Sequence, residues 1–303
     1  MENYNMKLAP IALFTYNRPQ HTKETIEALL LNEFADESDL IIFSDAAKND
    51  NATKGVNDTR QYLKTITGFK SVQIIERETN YGLANSIIDG VSDVVGRYGQ
   101  IIVLEDDLLT SPYFLRFMNE AMNLYENQED VISIHGYLYP VNKKMPETFF
   151  IRGADCWGWG TWRRGWDIFN VNGQELLDEL IAKKLEWNFD YNGSYPYTKM
   201  LKKQVKGAVG SWAIRWYASA FMNNKLTLYP GRSLVFNSGN EGSGTNCGES
   251  DEFNTELSAT PITLSKIEIK ESKEARDAFI HYFRYTRLKK KIVSRLKKLF
   301  AWR

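Results

Sequence analysis

Cysteine is scarce in this chain: Cys156 and Cys247 are the only two among 303 residues. Two are too few for a disulfide scaffold, and no Cys-x-x-Cys or histidine-rich spacing points to a zinc site, so both read as reduced thiols. No apolar run approaches the roughly 18 residues that a membrane-spanning helix needs. The opening MENYNMKLAP has no basic stretch leading into an apolar one, so a cleaved signal peptide is not expected. There is no internal repeat and no low-complexity tract. Hydrophobic residues at 43% and charged residues at 25% exclude a disordered or collagen-like chain. A chain of this length buries roughly three quarters of its unfolded surface, so it needs no staple.

One further absence is local. From Tyr282 to Arg303 there is no acidic residue against nine basic ones, although the chain as a whole is neutral. The remainder is therefore slightly acidic and does not look like a nucleic-acid binder. Within the basic stretch Tyr285, Leu288, Ile292, Leu296 and Leu299 recur at helical spacing, with Trp302 at the end. The pattern predicts a basic amphipathic helix from about Lys273 onward, suited to reversible attachment to an anionic membrane surface. A helix packed on its own domain or on a partner is the plainer alternative.

The first hundred residues alternate two patterns. Pro10–Thr15, Leu40–Phe43, Val72–Ile75 and Ile101–Leu104 are short apolar runs rich in β-branched residues and leucine. Helical spacing fills the stretches Arg18–Leu31, Thr59–Ile66 and Gly82–Val95 between them. Such alternation predicts a doubly wound α/β layer with a mostly parallel twisted sheet, Rossmann-like and flanked by helices. Further on, a helix is expected at Pro112–Glu126, a strand at Val131–His135, two or three helices over Gln174–Val205, a helix at Trp212–Asn223 and a strand at Leu226–Tyr229. Gly239–Gly248 (GNEGSGTNCG) reads as a flexible loop.

Chemistry concentrates at the predicted strand ends, where open parallel sheets bind ligands. Glu105-Asp106-Asp107 directly follows the run IIVL. Three adjacent carboxylates repel one another, and a hard divalent cation shared with phosphate oxygens would relieve that repulsion. A solvated acidic loop ahead of a helix is the bland alternative. Thr15-Tyr16-Asn17-Arg18-Pro19 follows the first run. Asn17 is suited to cap the next helix and Pro19 to open it. Arg18 at the positive end of a helix is unfavourable unless an anion sits nearby. Asp45 ends the second run, and Asn80-Tyr81-Gly82 follows the third.

Four tryptophans crowd into Asp155-Cys156-Trp157-Gly158-Trp159-Gly160-Thr161-Trp162-Arg163-Arg164-Gly165-Trp166. Trp162 and Trp166, at helical spacing, read as core anchors. Trp157 and Trp159, flanked by glycine, read as an indole wall for the apolar face of a sugar or acceptor.

Taken in order, PIALFTYNRP, the Ser44-Asp45 strand end, RETNYGLANSI and IIVLEDDL resemble GT-A nucleotide-sugar glycosyltransferases over roughly residues 8–250. In particular the chain resembles bacterial family-2-like enzymes of surface-polysaccharide synthesis and, more distantly, N-acetylglucosaminyltransferases with an EDD motif. The resemblance implies that Asp107 binds Mn²⁺ or Mg²⁺ and that Glu105 and Asp106 lie nearer the ribose and base. By the same resemblance Thr15, Tyr16, Asn17, Arg18 and Asp45 line the nucleotide, while Asn80 and Gly82 lie under the donor diphosphate. An inverting transfer also needs a general base. Related enzymes place an acid at the start of the helix that here begins Gly210-Ser211-Trp212, where this chain has none. Asp155 and Glu241 remain as candidates, and Arg215 is expected to face the diphosphate or the acceptor.

The expectation is thus a GT-A domain over residues 5–265 with a basic helical extension over 266–303. It would be a hexosyl- or N-acetylhexosaminyltransferase on the cytoplasmic side, peripherally attached to the inner face of the plasma membrane and acting on a lipid-linked glycan. The rivals are a sugar-1-phosphate nucleotidyltransferase, whose glycine-rich first turn is missing from TYNRP, and a degenerate domain that only binds sugar nucleotide or glycan.

Overall fold

The computed structural model describes residues 6–241 and 251–300. In chain order the elements are β1 (Ile11–Thr15), α1 (Pro19–Leu30), β2 (Asp39–Ser44), α2 (Asp50–Leu63), β3 (Ser71–Glu76), α3 (Gly82–Tyr98), β4 (Gln100–Glu105), β5 (Leu108–Thr110), α4 (Phe114–Leu124) and β6 (Val131–His135). They continue with β7 (Thr148–Arg152), β8 (Trp159–Trp162), α5 (Arg163–Trp166), α6 (Gly173–Ala182), α7 (Glu186–Phe189), α8 (Tyr197–Val205), α9 (Ala213–Met222), β9 (Leu226–Pro230), β10 (Val235–Asn237) and α10 (Lys273–Phe300).

The four apolar runs become β1 to β4, and one eight-stranded sheet runs in the order β3-β2-β1-β4-β8-β6-β9-β7. Pairing is parallel from β3 through β4 and again between β6 and β9, while β8 and β7 run antiparallel to their neighbours. Both faces are covered, which explains why the strands read as continuous apolar runs. On one face Ile11, Leu13, Leu40, Ile42, Ile102 and Leu104 pack with α1, α4 and the start of α10. On the other Ala12, Phe14, Ile41, Phe43, Ile101 and Val103 pack with α3 and a cluster of tryptophans.

One expectation changes. The second helix starts at Asp50, not Thr59, because Ala52, Val56, Thr59 and Leu63 form one buried stripe through an otherwise polar segment. The aromatic-rich stretch after Gly136 supplies two sheet strands, β7 and β8. The start of the helix expected beyond residue 266 packs on the main body. Ala275, Phe279, Ile280 and Phe283 of α10 are buried in the main core, and Ser272 N–H donates to Phe150 O at 2.8 Å. Only beyond that does the helix turn outward, with Tyr285, Leu288 and Ile292 more than half exposed. The side chains of Leu296 and Leu299, and all of Trp302 and Arg303, lie outside the described residues, as does most of the loop at 239–248. Among the described residues no helix is long and apolar enough to cross a membrane.

Candidate active site

The parallel strands deliver their carboxyl ends to one edge, and the acidic turn sits there. Glu105 is the last residue of β4, and Asp106 and Asp107 follow it before β5. The turn is pinned from both sides. Thr25 Oγ1 of α1 donates to Asp106 O at 3.0 Å, and Ser238 N–H, just after β10, donates to Asp107 O at 2.8 Å. β10 itself pairs antiparallel with β5, so the turn is backed by a two-stranded ribbon. Gly239 is required there: a Cβ at that position would lie 2.3 Å from Asp107 Oδ2.

Arg18 is the cation of this cluster. It is the N-cap residue of α1, with Pro19 in the first turn, and Asn17 makes no side-chain cap. The anion that the sequence demanded for Arg18 is the acidic turn itself. Its Nη2 bridges Asp106 Oδ1 and Asp107 Oδ2, the latter at 2.9 Å. Burial works against the guanidinium charge, but the attraction of Asp106 and Asp107 prevails and raises its pKa. Burial, then the charges of Asp107 and Asp106, push the Glu105 carboxyl up to about 8 against the pull of Arg18. Burial likewise raises Asp106, with Arg18 opposing. One guanidinium does not saturate three carboxylates. Asp106 Oδ2 is buried with no hydrogen-bond partner, and so is Nη1 of Arg18.

That donor set fits a hard divalent cation, since it offers oxygen ligands, excess negative charge and an unpartnered carboxylate oxygen. Among the described residues no group of three or more His, Cys, Asp or Glu side chains is arranged to hold a metal alone. A cation here would complete its shell from a ligand's phosphate oxygens, the usual habit of Mg²⁺.

Asp45, Asn80 and Gly82 come together in one hydrogen-bonded turn. The Asp45 carboxylate accepts from Ala46 N–H at 2.9 Å, Tyr81 N–H at 2.8 Å, Asn80 Nδ2 at 3.0 Å and Gly82 N–H at 2.9 Å. It caps α3 from a neighbouring strand, and the helix's own N-cap, Tyr81, gives none. The amides expected to cradle a diphosphate are therefore taken by a carboxylate of the protein. Asn80 also donates to Ala46 O at 2.7 Å, and Gly82 holds the left-handed φ of 70° that opens the turn. Arg60, which nothing in the sequence marks out, ties the ends of β2 and β3 by donating to Ser44 O at 3.3 Å and Arg77 O at 2.8 Å. Tyr16 accepts from Lys48 N–H at 3.0 Å, while Thr15 is buried with its hydroxyl 3.5 Å from Phe43 O.

The two expected sugar-wall indoles part company. β8 lies between β4 and β6, and Trp159 pairs with Val103. Its ring is fully buried, 5.5 Å from Trp212, 5.5 Å from Trp216 and 5.9 Å from Trp166. Trp159 is a core residue, because it opens a central strand that continues through Gly160 and is not part of a loop. Trp157, two residues earlier and just before the strand, is only partly buried. Its ring meets Tyr137 at 4.8 Å and Phe253 at 5.7 Å, and its N–H donates to Nε2 of buried His135 at 3.2 Å.

Asp155 is engaged on both oxygens. Oδ1 accepts from Cys156 N–H at 2.9 Å, and Oδ2 accepts from the phenols of Tyr139 at 2.6 Å and Tyr229 at 3.4 Å. It is the polar hub of an aromatic cluster, which leaves it poorly placed to take a proton from an acceptor. Arg215 is committed elsewhere: it donates to Val171 O at 2.9 Å, its guanidinium is 5.9 Å from the Phe169 ring, and it makes no ion pair with the acidic turn. The side chain of Glu241 lies outside the described residues; its backbone closes the short helix Ser238–Glu241 that starts against Asp107.

The arrangement is a parallel-sheet edge with an acidic turn, one bridging arginine and an aromatic wall. The family model for glycosyl transferase family 2 matches residues 11–175, more than half of the chain. The chain belongs to glycosyl transferase family 2. No curated protein matches it in sequence. Among solved structures, TarS of S. aureus is 13% identical over 49% of this chain and 25% of its own, with a TM-score of 0.34. The mannosyltransferase PcManGT from Pyrobaculum calidifontis, in complex with GDP-Man and Mn²⁺, is 11% identical over 42% of this chain and 35% of its own, at 0.32. A UDP-glucose pyrophosphorylase complexed with UDP-glucose is 12% identical over 74% of this chain and 90% of its own, at 0.38. The chain thus spans about a quarter and a third of the first two, and likeness this distant identifies neither donor nor acceptor.

Proposed function

We propose that this family 2 transferase is metal-dependent and inverting, and that it moves a hexosyl or N-acetylhexosaminyl unit from a nucleoside-diphosphate sugar to a lipid-linked glycan at an anionic membrane surface. The observation that carries the reading is the acidic turn: three carboxylates at the end of β4, one guanidinium between two of them, and a carboxylate oxygen left unpartnered. Asp107, with Asp106 beside it, would hold Mn²⁺ or Mg²⁺, which when bound neutralises charge on the departing diphosphate. Arg18, which bridges Asp106 and Asp107, would be the neighbouring cation for the same phosphate oxygens. Trp157 offers its partly exposed indole to a sugar ring.

Of the two acids considered as base, Glu241 is the better placed. Its chain follows Gly239, which abuts Asp107, whereas Asp155 is tied up by two phenols. The membrane part of the proposal is supported by exposed Tyr285, Leu288 and Ile292 on a helix whose residues from Tyr282 to Phe300 include eight basic and no acidic ones. The family match favours this reading over a nucleotidyltransferase.

The test is nucleotide release from a panel of nucleotide sugars, with and without Mn²⁺ and a glycan acceptor. Release should need both the metal and one donor, and Glu241→Gln should slow it by about 10²–10⁴ while leaving donor binding intact. Binding of a donor with no release under any acceptor condition would favour the degenerate domain instead.

A further inference from the structure

We infer that Arg18 is an internal counter-ion that competes with the cation for Asp107 and hands the acidic turn over only when metal and diphosphate arrive together. The inference rests on the metal-dependent reading above and concerns the order in which that site fills.

Three observations carry it. First, Arg18 sits at the N-terminus of α1, where a positive charge is unfavourable, and the acidic turn is its compensation. Second, the pairing is not the two-pronged fork that guanidinium and carboxylate prefer. A single nitrogen, Nη2, bridges Asp106 and Asp107, while Nη1 is buried with no acceptor and Asp106 Oδ2 is buried with no donor. An ion pair built only for stability would satisfy both. Here one nitrogen is left wanting an acceptor and one oxygen wanting a positive charge, the two needs that a phosphate oxygen and a metal ion meet. Third, the oxygen of Asp107 that Arg18 holds at 2.9 Å is closed off on another side by the backbone at Gly239. A cation binding that oxygen must loosen the grip of Arg18, because two positive centres then share one acceptor.

The consequence is a coupling. A metal ion alone must displace Arg18 and leave a buried guanidinium without its partner, so it binds weakly. Diphosphate supplies the replacement acceptor, so metal and nucleotide strengthen each other. By reciprocity each raises the affinity for the other by the same factor.

The experiment titrates the full chain with MnCl₂, following free Mn²⁺ by electron paramagnetic resonance, alone and with saturating UDP or GDP. Far-UV circular dichroism of each variant checks folding. Arg18→Gln should bind Mn²⁺ alone at least tenfold more tightly than the parent and should lose most of the nucleotide-induced gain. Arg18→Lys, which keeps the charge without the fork, should fall between the two and serves if Arg18→Gln does not fold. Nucleotide-dependent Mn²⁺ binding in the parent, with unchanged or weaker Mn²⁺ affinity in both folded variants, overturns the inference and leaves the proposed function standing. A parent that binds neither nucleotide nor Mn²⁺ overturns the metal-dependent reading and the inference with it.

Discussion

Replacing Asp45 by alanine separates two meanings of one residue. A residue that reads the nucleotide would be dispensable for folding. The structure puts Asp45 to a different use. It is 5% exposed, and its carboxylate receives three backbone N–H groups and the Asn80 amide. Loss of a helix N-cap costs about 1 kcal/mol. Each further hydrogen bond to a charged group is worth about 1.5–3 kcal/mol, less where water can take over the orphaned donor. Tyr81 is 39% exposed, so its amide is partly recoverable by solvent. Counting the cap and one further bond whose donor stays dry, with water recovering the others, the loss is about 2–4 kcal/mol, a large share of the roughly 5–15 kcal/mol that holds a domain together. With a urea m-value of about 3 kcal/mol/M, the midpoint should fall by about 1 M. Asp45→Asn should do nearly as badly, since its amide would point a donor at donors. An unchanged urea midpoint in both variants, combined with lost nucleotide affinity, would refute the capping argument and return Asp45 to the nucleotide.

Three more outcomes follow from particular residues. Trp159→Ala should cost about 3–5 kcal/mol in chemical denaturation, whereas Trp157→Ala should cost far less and instead raise KM for the donor or acceptor; the reverse pattern would exchange their roles. Buried His135 is held down to about 4, chiefly by desolvation, against an ordinary 6.5. Its proton is then taken up preferentially by the unfolded chain, so stability present above pH 6.5 should be lost as pH falls toward 4, by about 3 kcal/mol; a pH-stability curve no flatter in His135→Gln would contradict this. The chain should float with anionic liposomes at low salt and a truncation after Arg287 should not, with activity on a small soluble acceptor retained because the core residues through Phe283 are kept; equal flotation of both forms would reject membrane attachment by the helix end.

How much of this was legible in the residues depends on range. Strands β1, β2 and β4 showed themselves because burial on both faces leaves an unbroken apolar run, β3 because Val72, Ile74 and Ile75 remain on a partly exposed edge strand, and the acidic turn was legible because it directly follows one. Arg18 at a helix start announced the need for an anion, and the structure supplies Asp106 and Asp107 from 88 and 89 residues away. What stayed hidden depends on long-range pairing. Trp159 looked like a loop residue because Gly158 and Gly160 flank it, and only the pairing of β8 between β4 and β6 shows that glycine there makes room for Phe114 and Met122. Nothing local marks Asp45 as the cap of a helix that starts 37 residues later, or Arg60 as the tie between two strand ends. The packing of the start of α10 is hard to see for a related reason: charge dominates its sequence, and the buried stripe of Ala275, Phe279 and Phe283 ends where the basic cluster begins.

The central claim is that Asp107 holds a divalent cation on which donor binding depends. The direct measurement is calorimetric titration of the full chain with nucleotide sugars in Mn²⁺ and again in excess chelator, for the parent and for Asp107→Ala. The account predicts binding by the parent only with metal, and none by a folded Asp107→Ala under either condition. Equal donor affinity in parent and variant, or in metal and chelator, would contradict it.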